Sequence, residues 1–398
     1  MARRYGPTDP VSTDKPSEDD LVLSKILDSV LRERNSYEPE ERSRQREEVL
    51  GRLSEIIQEW VRDSSLEVGL SEEIAREQDA KIFTSGSYKL GVHSASSDID
   101  TIVVVPRHIT RDHFFDGLGE RLAQVEEIEH LVPVRGAMVP VIKFEFDTVE
   151  IDLLFARVSV STIPEEFDIN DNKVLSNVDK GSQRSLCGPR DTMKLLEVVP
   201  HQQTFCTVLR MIKIWAKERA VYSNKFGYPG GIALAILVAR ICQLWQNAAP
   251  SKVLMMFFVL YSKWEWPKPI ELVVTEKVSG LDLEVWDRRL PKYRRDLAPV
   301  LTPAYPAFNS TYNVNKSTLA VLKKEWERGR AIMGKLYAKM EEKTELPEQE
   351  IKAAYQQLLE PSDFFLDFGH YLFVNLEVKS EDNLEQFKGM VESRVRHL

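Results

Sequence analysis

Asp98 and Asp100 form a D-x-D pattern that follows the pair Gly86-Ser87 and leads into the apolar run Ile102-Val103-Val104-Val105. A third acid, Asp152, lies inside a second strand-like run, Val149-Glu150-Ile151-Asp152-Leu153-Leu154-Phe155. Residues i and i+2 of a strand share a face, so Asp98 and Asp100 can aim two carboxylates at one point, and Asp152 can complete the set from a neighbouring strand. Hard oxygen donors in this number suit Mg²⁺, which takes a few protein carboxylates and leaves positions for phosphate oxygens. Two such ions roughly 3.5–4 Å apart serve in-line phosphoryl transfer. The Gly86-Ser87 turn opens a short helix over Tyr88 to Leu90, whose backbone N–H groups, with the Ser87 hydroxyl, can hold a terminal phosphate. The pattern therefore reads as a site for two divalent metals and a nucleoside triphosphate.

A lone D-x-D is more often a solvated strand end or turn; the Gly-Ser turn and the second acid-bearing strand reverse that reading. Glu150 shares a face with Asp152 and is a rival third ligand, whereas Glu145 and Asp147 read as strand-surface charges. His93 and His108 could act as acid or base, but metal activation makes a histidine base unnecessary, and both read as structural.

The elements that must position these groups follow from periodicity. Tyr5 to Ser17 is an extended, proline-bearing arm. Helices are expected from Glu18, with Leu21, Leu23, Ile26, Leu27, Val30 and Leu31 recurring at near-helical intervals, and around Val49 to Trp60. Strands are expected over Ala80 to Thr84, Thr101 to Pro106, Val139 to Phe146 and Val149 to Ala156, with a helix over Asp112 to Leu131 between them. From His201 the pattern becomes helical: Phe205 to Ala220, Gly231 to Trp245, Val253 to Trp264 and Asn315 to Met340. After the charged linker Glu341 to Glu348 come a short helix, a strand at Tyr371 to Val378 and a helix at Glu381 to Arg396. One strand and its helices cannot close a core, so this last piece reads as a fragment of a larger unit. The fold class is α+β and multidomain, as 398 residues require.

Three cysteines at unrelated spacings argue against a disulfide framework or a zinc site. The most apolar stretch, Gly230 to Leu244, is interrupted by Arg240 and is too short to span a bilayer. The N-terminus lacks the apolar segment of a secretory signal, so the sequence reads as an intracellular, soluble protein without a membrane partner. A net charge of −9 argues weakly against a chain-wide attraction to nucleic acid and is compatible with a local basic groove. Arg288, Arg289, Arg294 and Arg295 are the densest basic cluster and read as a solvated loop.

The stretch Phe83-Thr84-Ser85-Gly86-Ser87-Tyr88-Lys89-Leu90-Gly91-Val92-His93-Ser94, with Ser97-Asp98-Ile99-Asp100 and Pro106-Arg107-His108, resembles the signature of eukaryotic poly(A) polymerases, of the polymerase β-like nucleotidyltransferase superfamily. The likeness continues through Pro140 to Phe144, Glu150 to Ala156, Ile212 to Lys217, Tyr222-Ser223-Asn224, Gly230-Gly231, Lys263 to Pro267, Thr302 to Pro306 and Asn309 to Val314. These blocks run collinearly over nearly the whole sequence.

The resemblance implies a template-independent poly(A) polymerase, adding AMP from ATP to the 3′-hydroxyl of single-stranded RNA during mRNA 3′-end polyadenylation. It makes Asp98, Asp100 and Asp152 the catalytic and metal-binding residues, for two Mg²⁺ ions that Mn²⁺ can replace. Ser85, Gly86, Ser87, Ser94, Asp152, Lys213, Tyr222, Asn224, Gly231 and Ile232 would bind the nucleotide, with Met138 and Val139 packing on the adenine or the primer end. Lys217, one turn beyond Lys213, has the ordinary alternative of reaching solvent. The implied domains are an N-terminal arm and helix packing with the central domain (1–44), a nucleotidyltransferase catalytic domain (45–199), a helical central domain (200–349) and an incomplete RRM-like RNA-binding domain (350–398). Pre-mRNA 3′-end processing factors are the implied partners and the nucleus the implied location, with the cytoplasm left open.

Two departures stand out: Ser85 where the family commonly has phenylalanine, and Met138 at an aromatic position. The RRM-like match covers only a first strand and helix, Tyr371 to Arg396. A terminal uridylyltransferase would share the metal site and differ in the base pocket. An enzyme making small oligonucleotides would share it too, and a catalytically silent RNA-binding or scaffold subunit is the reading outside catalysis.

Overall fold

A computed structural model describes residues 5–136, 139–275, 277–281, 283–342, 346–380, 384–392 and 394–395. Helix α1 (Glu18–Glu33) begins at a reciprocal capping box, Ser17 Oγ accepting from Asp20 N and Asp20 Oδ2 from Ser17 N, each at 3.1 Å. The long α2 (Glu40–Glu67) follows, and its buried Val49, Leu53, Ile57, Trp60 and Val61 recur at helical spacing. After the short α3 (Glu72–Arg76) come β1 (Lys81–Thr84), α4 (Gly86–Lys89) and β2 (Ile99–Val105). A π-type turn (His113–Leu118) runs into α5 (Gly119–Ala123), followed by β3 (Ile128–Val134), β4 (Val141–Phe146) and β5 (Val149–Arg157).

The strands form one five-stranded sheet in the order β1-β2-β5-β4-β3, with β2 and β5 parallel and the other neighbours antiparallel. Ile102 to Val105 of β2 are buried on both faces, which explains an unbroken apolar run in place of alternation. One face packs Val103, Val105, Leu153 and Phe155 against α2 and the 113–123 segment. The other packs Ile102, Val104 and Ala156 against Ile163, Ile169 and Leu186, the last from α6 (Lys180–Glu197).

The second unit is helical: α7 (Gln202–Glu218), α8 (Gly231–Leu244), α9 (Pro250–Lys263), α10 (Lys316–Glu342) and α11 (Glu348–Leu358). Trp215, Phe257, Phe258 and Tyr261 meet edge-on at its centre, where Trp326 also packs on Tyr261. Helix α1 shares this core through Leu23, Ile26, Leu27, Val30 and Leu31. The N-terminal arm lies against α8: Arg240 donates to Thr8 Oγ1 at 2.6 Å and Gln243 Nε2 to the Tyr5 carbonyl at 2.9 Å. The arginine that interrupts the apolar stretch of α8 thus anchors the arm. Short helices α12 (Phe364–Asp367) and α13 (Leu384–Glu392) close the chain.

Two expectations are corrected, and one element is new. The helix expected over Asp112 to Leu131 ends at Ala123, and Ile128–Val134 is instead a strand. It is an exposed edge strand carrying Pro133, and its identity comes from pairing with β4 rather than from a pattern of its own. The strand expected at Tyr371 to Val378 is not formed: these residues have no regular structure, and among the described residues no strand pairs with them to satisfy a ladder. Helix α6 was not expected at all. The three cysteines are free, and no helix among the described residues is long and apolar enough to cross a membrane.

Candidate active site

Asp98 immediately precedes β2, Asp100 is its second residue, and parallel pairing sets Asp100 opposite Asp152 of β5. Period two puts Asp100 and Asp152 on the sheet face that Ile102 and Leu154 share, toward α6. The structure brings the three acids together: one carboxylate oxygen from each lies within 4.8 Å of the others. Glu150 is exposed and lines the cleft, but it lies outside the three-acid cluster.

The Gly-Ser turn is built around the same acids. Ser85 N donates to the Asp100 carbonyl at 2.9 Å, and α4 starts at Gly86 rather than at Tyr88. Gly86 has φ +61°, and a Cβ there would lie 2.1 Å from Asp100 Oδ2. Glycine is required both for the left-handed backbone and for the close approach of a carboxylate.

Burial and the neighbouring Asp98 and Asp152 push the Asp100 carboxyl up to about 6, against the pull of Lys143 and Lys213. Three converging acids with hard oxygen donors and such mutual repulsion fit a divalent cation. Lys143, opposite Asp152 on β4, pairs with Asp152 Oδ2.

The facing wall comes from the helical unit. Lys213 on α7, Tyr222 just beyond it, and Gly231 and Ile232 at the start of α8 line the same cleft as Ser85, Gly86, Ser87, Ser94, Asp98 and Asp100, with a volume of about 730 Å³. Burial, with Lys217 and Arg210 nearby, lowers the Lys213 ammonium to about 8, against the opposing pull of Asp98 and Asp100. Burial and the same two acids raise the Tyr222 hydroxyl, which keeps it a proton donor. Lys217 also lines the cleft, its Nζ lying 5.7 Å from the Tyr222 ring centre.

Asn224 is less central: its Oδ1 accepts from Asn313 N at 3.4 Å and it does not line the cleft. Val139 is half-buried, and Met138 lies outside the described residues. His93 pairs with Glu38 at 2.9 Å and His108 with Ser65 at 2.8 Å, the structural roles expected of them. The basic cluster is an exposed loop in which Arg289 is held by Asp287.

Sequence reading missed the third wall. Ser185, Cys187, Gly188, Asp191 and Thr192 of α6 line the cleft with Thr302 and Phe308. The available signal was Asp179, an N-cap that accepts from Gly181 N and Ser182 N, but Gly181, Gly188 and Pro189 disguise the helix behind it. Asp191 accepts from Ala304 N at 2.9 Å and from the Thr302 hydroxyl, so α6 grips the 302–304 segment of the helical unit.

Such a sheet, with three acids behind a Gly-Ser turn and a helical wall facing them, has the architecture of the polymerase β-like nucleotidyltransferase fold. Cid1 in complex with its short product ApU has a similar fold, with a TM-score of 0.56 at 13% identity over 87% of this chain and 100% of that one. Family models match in chain order: the poly(A) polymerase nucleotidyltransferase domain at residues 6–199, the poly(A) polymerase central domain at 204–349 and the poly(A) polymerase predicted RNA binding domain at 363–398. The chain belongs to the poly(A) polymerase family. It is 42% identical to nuclear poly(A) polymerase 1 of Arabidopsis thaliana over all of this chain and 54% of that protein. It is 42% identical to the poly(A) polymerase of Dictyostelium discoideum over 99% of this chain and 47% of that protein. Poly(A) polymerase PAPalpha of Candida albicans (strain SC5314 / ATCC MYA-2876) is 39% identical over all of this chain and 69% of that protein. The chain thus spans about half the length of the first two relatives.

Proposed function

We propose that this chain is a template-independent RNA adenylyltransferase: the 3′-hydroxyl oxygen of a single-stranded RNA attacks the α-phosphorus of ATP, and pyrophosphate leaves. The observation that carries the reading is the meeting of Asp98, Asp100 and Asp152, the first two lining a cleft walled by Lys213 and Tyr222, in a member of the poly(A) polymerase family. The three carboxylates would hold two Mg²⁺ ions, with Mn²⁺ able to substitute. When bound, these ions supply positive charge at the attacking and departing oxygens. Asp152 is the proton acceptor for the RNA hydroxyl in this reading.

The chain's own groups do the rest. The backbone of Gly86 and Ser87, the Ser87 hydroxyl and Ser94 hold phosphate oxygens, Lys213 offsets charge on the departing pyrophosphate, and Tyr222 donates a hydrogen bond to it. Gly231 and Ile232 line the nucleotide pocket, with Asn224 outside its lining. RNA is gripped through its backbone, with little reading of sequence. In this reading 45–199 carries the metal site, 200–349 with 1–44 packed on it carries the facing wall, and RNA contacts come from the part of 350–398 beyond α11, which belongs to the helical core. Nuclear residence and work beside pre-mRNA 3′-end processing factors follow from the same family reading.

The test is extension of a short labelled RNA with each of the four nucleoside triphosphates, beside Asp98→Ala. A ladder with ATP alone, lost in the variant, is expected. A UTP ladder would keep the chemistry and discard the base assignment. No extension with either metal would overturn the reading.

A further inference from the structure

The segment joining α1 to α2 touches both units with adjacent residues. Tyr37 packs under Arg210 of α7, whose guanidinium lies 4.5 Å from the ring centre, while Glu38 turns the other way into the catalytic unit. There Glu38 pairs with Arg46 of α2 at 2.7 Å, side chains 4% and 1% exposed, and also meets His93 at 2.9 Å. A buried ion pair is costly to desolvate and contributes little net stability, so its use lies in what it orients.

Arg46 is oriented toward a loop. With Nε committed to Glu38, its Nη2 donates to the carbonyls of Ser94 (3.4 Å), Ala95 (3.3 Å) and Ser97 (2.6 Å). The Ser97 carbonyl belongs to the peptide that joins Ser97 to Asp98. His93, at the start of this loop, also packs its ring 5.0 Å from that of Tyr88 in α4. From the opposite side, Arg210 donates to the Gly91 carbonyl. The loop between α4 and Asp98 is thereby clamped from both units.

We propose that Arg46, fixed by Glu38, is a positioning residue that sets Ser94 and Asp98 in place for nucleotide and metal. This inference rests on the function proposed above for the same site. A guanidinium can bond the carboxylate with one nitrogen and the carbonyls with another, whereas a lysine ammonium at this position serves one or the other.

The test compares wild type with Arg46→Lys and Glu38→Gln in three measurements: Mn²⁺ affinity without nucleotide by titration calorimetry, kcat and KM for ATP on an RNA primer, and thermal unfolding. Arg46→Lys is expected to weaken Mn²⁺ binding about tenfold, with kcat falling more than KM rises, and Glu38→Gln to shift both in the same direction by less. A folded Arg46→Lys protein with unchanged Mn²⁺ affinity and kcat, whatever its unfolding temperature, would show a merely structural role and overturn the proposal. If Arg46→Lys does not fold, Glu38→Gln decides by the same criterion. Weakened Mn²⁺ binding in a protein whose wild type does not use ATP would sustain the clamp and reject the adenylyl-transfer reading.

Discussion

At the residue scale, the acids of the cleft were legible because their chemistry and spacing are local facts: D-x-D before an apolar strand, and an acid inside another. The sequence did not show that Lys143 pairs with Asp152, or that a fourth aspartate, Asp191, is buried in the cleft wall. Burial pushes the Asp191 carboxyl from its ordinary 3.8 up to about 7, against its bonds from Ala304 N and Thr302. Between those values the folded protein holds a proton that the unfolded chain has lost, so this group's contribution to stability falls as pH rises, by about 1.4 kcal/mol per pH unit at most. Asp191→Asn removes that slope. Its unfolding temperature relative to wild type should climb from pH 5 to pH 7 and level off above about 7, in melts across that range. A constant difference would show that Asp191 ionises normally in the fold.

At the element scale, helices with a clean apolar period were read nearly to their ends, as α1, α7, α8 and α9 show. Failures came where an element's identity depends on its neighbour: β3 exists because β4 pairs with it, and α6 carries Pro189 and two glycines within its span. Glycine in α10 has the opposite lesson. Gly329 reads as a weak helix position, yet a Cβ there would come within 2.4 Å of Phe258 Cδ1, in the core between α9 and α10. Gly329→Ala gains helix propensity and should still lose about 1–3 kcal/mol through overpacking, visible in denaturant unfolding. Unchanged or raised stability would mean that Phe258 can move aside.

At the scale of the whole molecule, two cores meet across the cleft, and the chain crosses between them more than once: α1 packs in the helical core, α2 on the sheet. The helical core reaches Leu358 and Leu359. Beyond it, Phe365, Leu366, Leu372 and Phe373 are each at least 74% exposed, and the pair Lys225–Glu392 lies in solvent that screens it. A protein ending at Ser362 should therefore unfold within a few degrees of the full chain, by calorimetry; a large drop would reveal that the last segment supports the cores. Sequence alone determined the three acids, the Gly-Ser turn, the apolar strands and most helices, because residue chemistry and hydrophobic period are properties of short stretches. Tertiary structure decided that Asp152 stands opposite Asp100, that α6 forms a wall, and that Arg46 reaches the loop before Asp98. Those choices depend on pairing and packing free energies summed between distant segments, which no local pattern records.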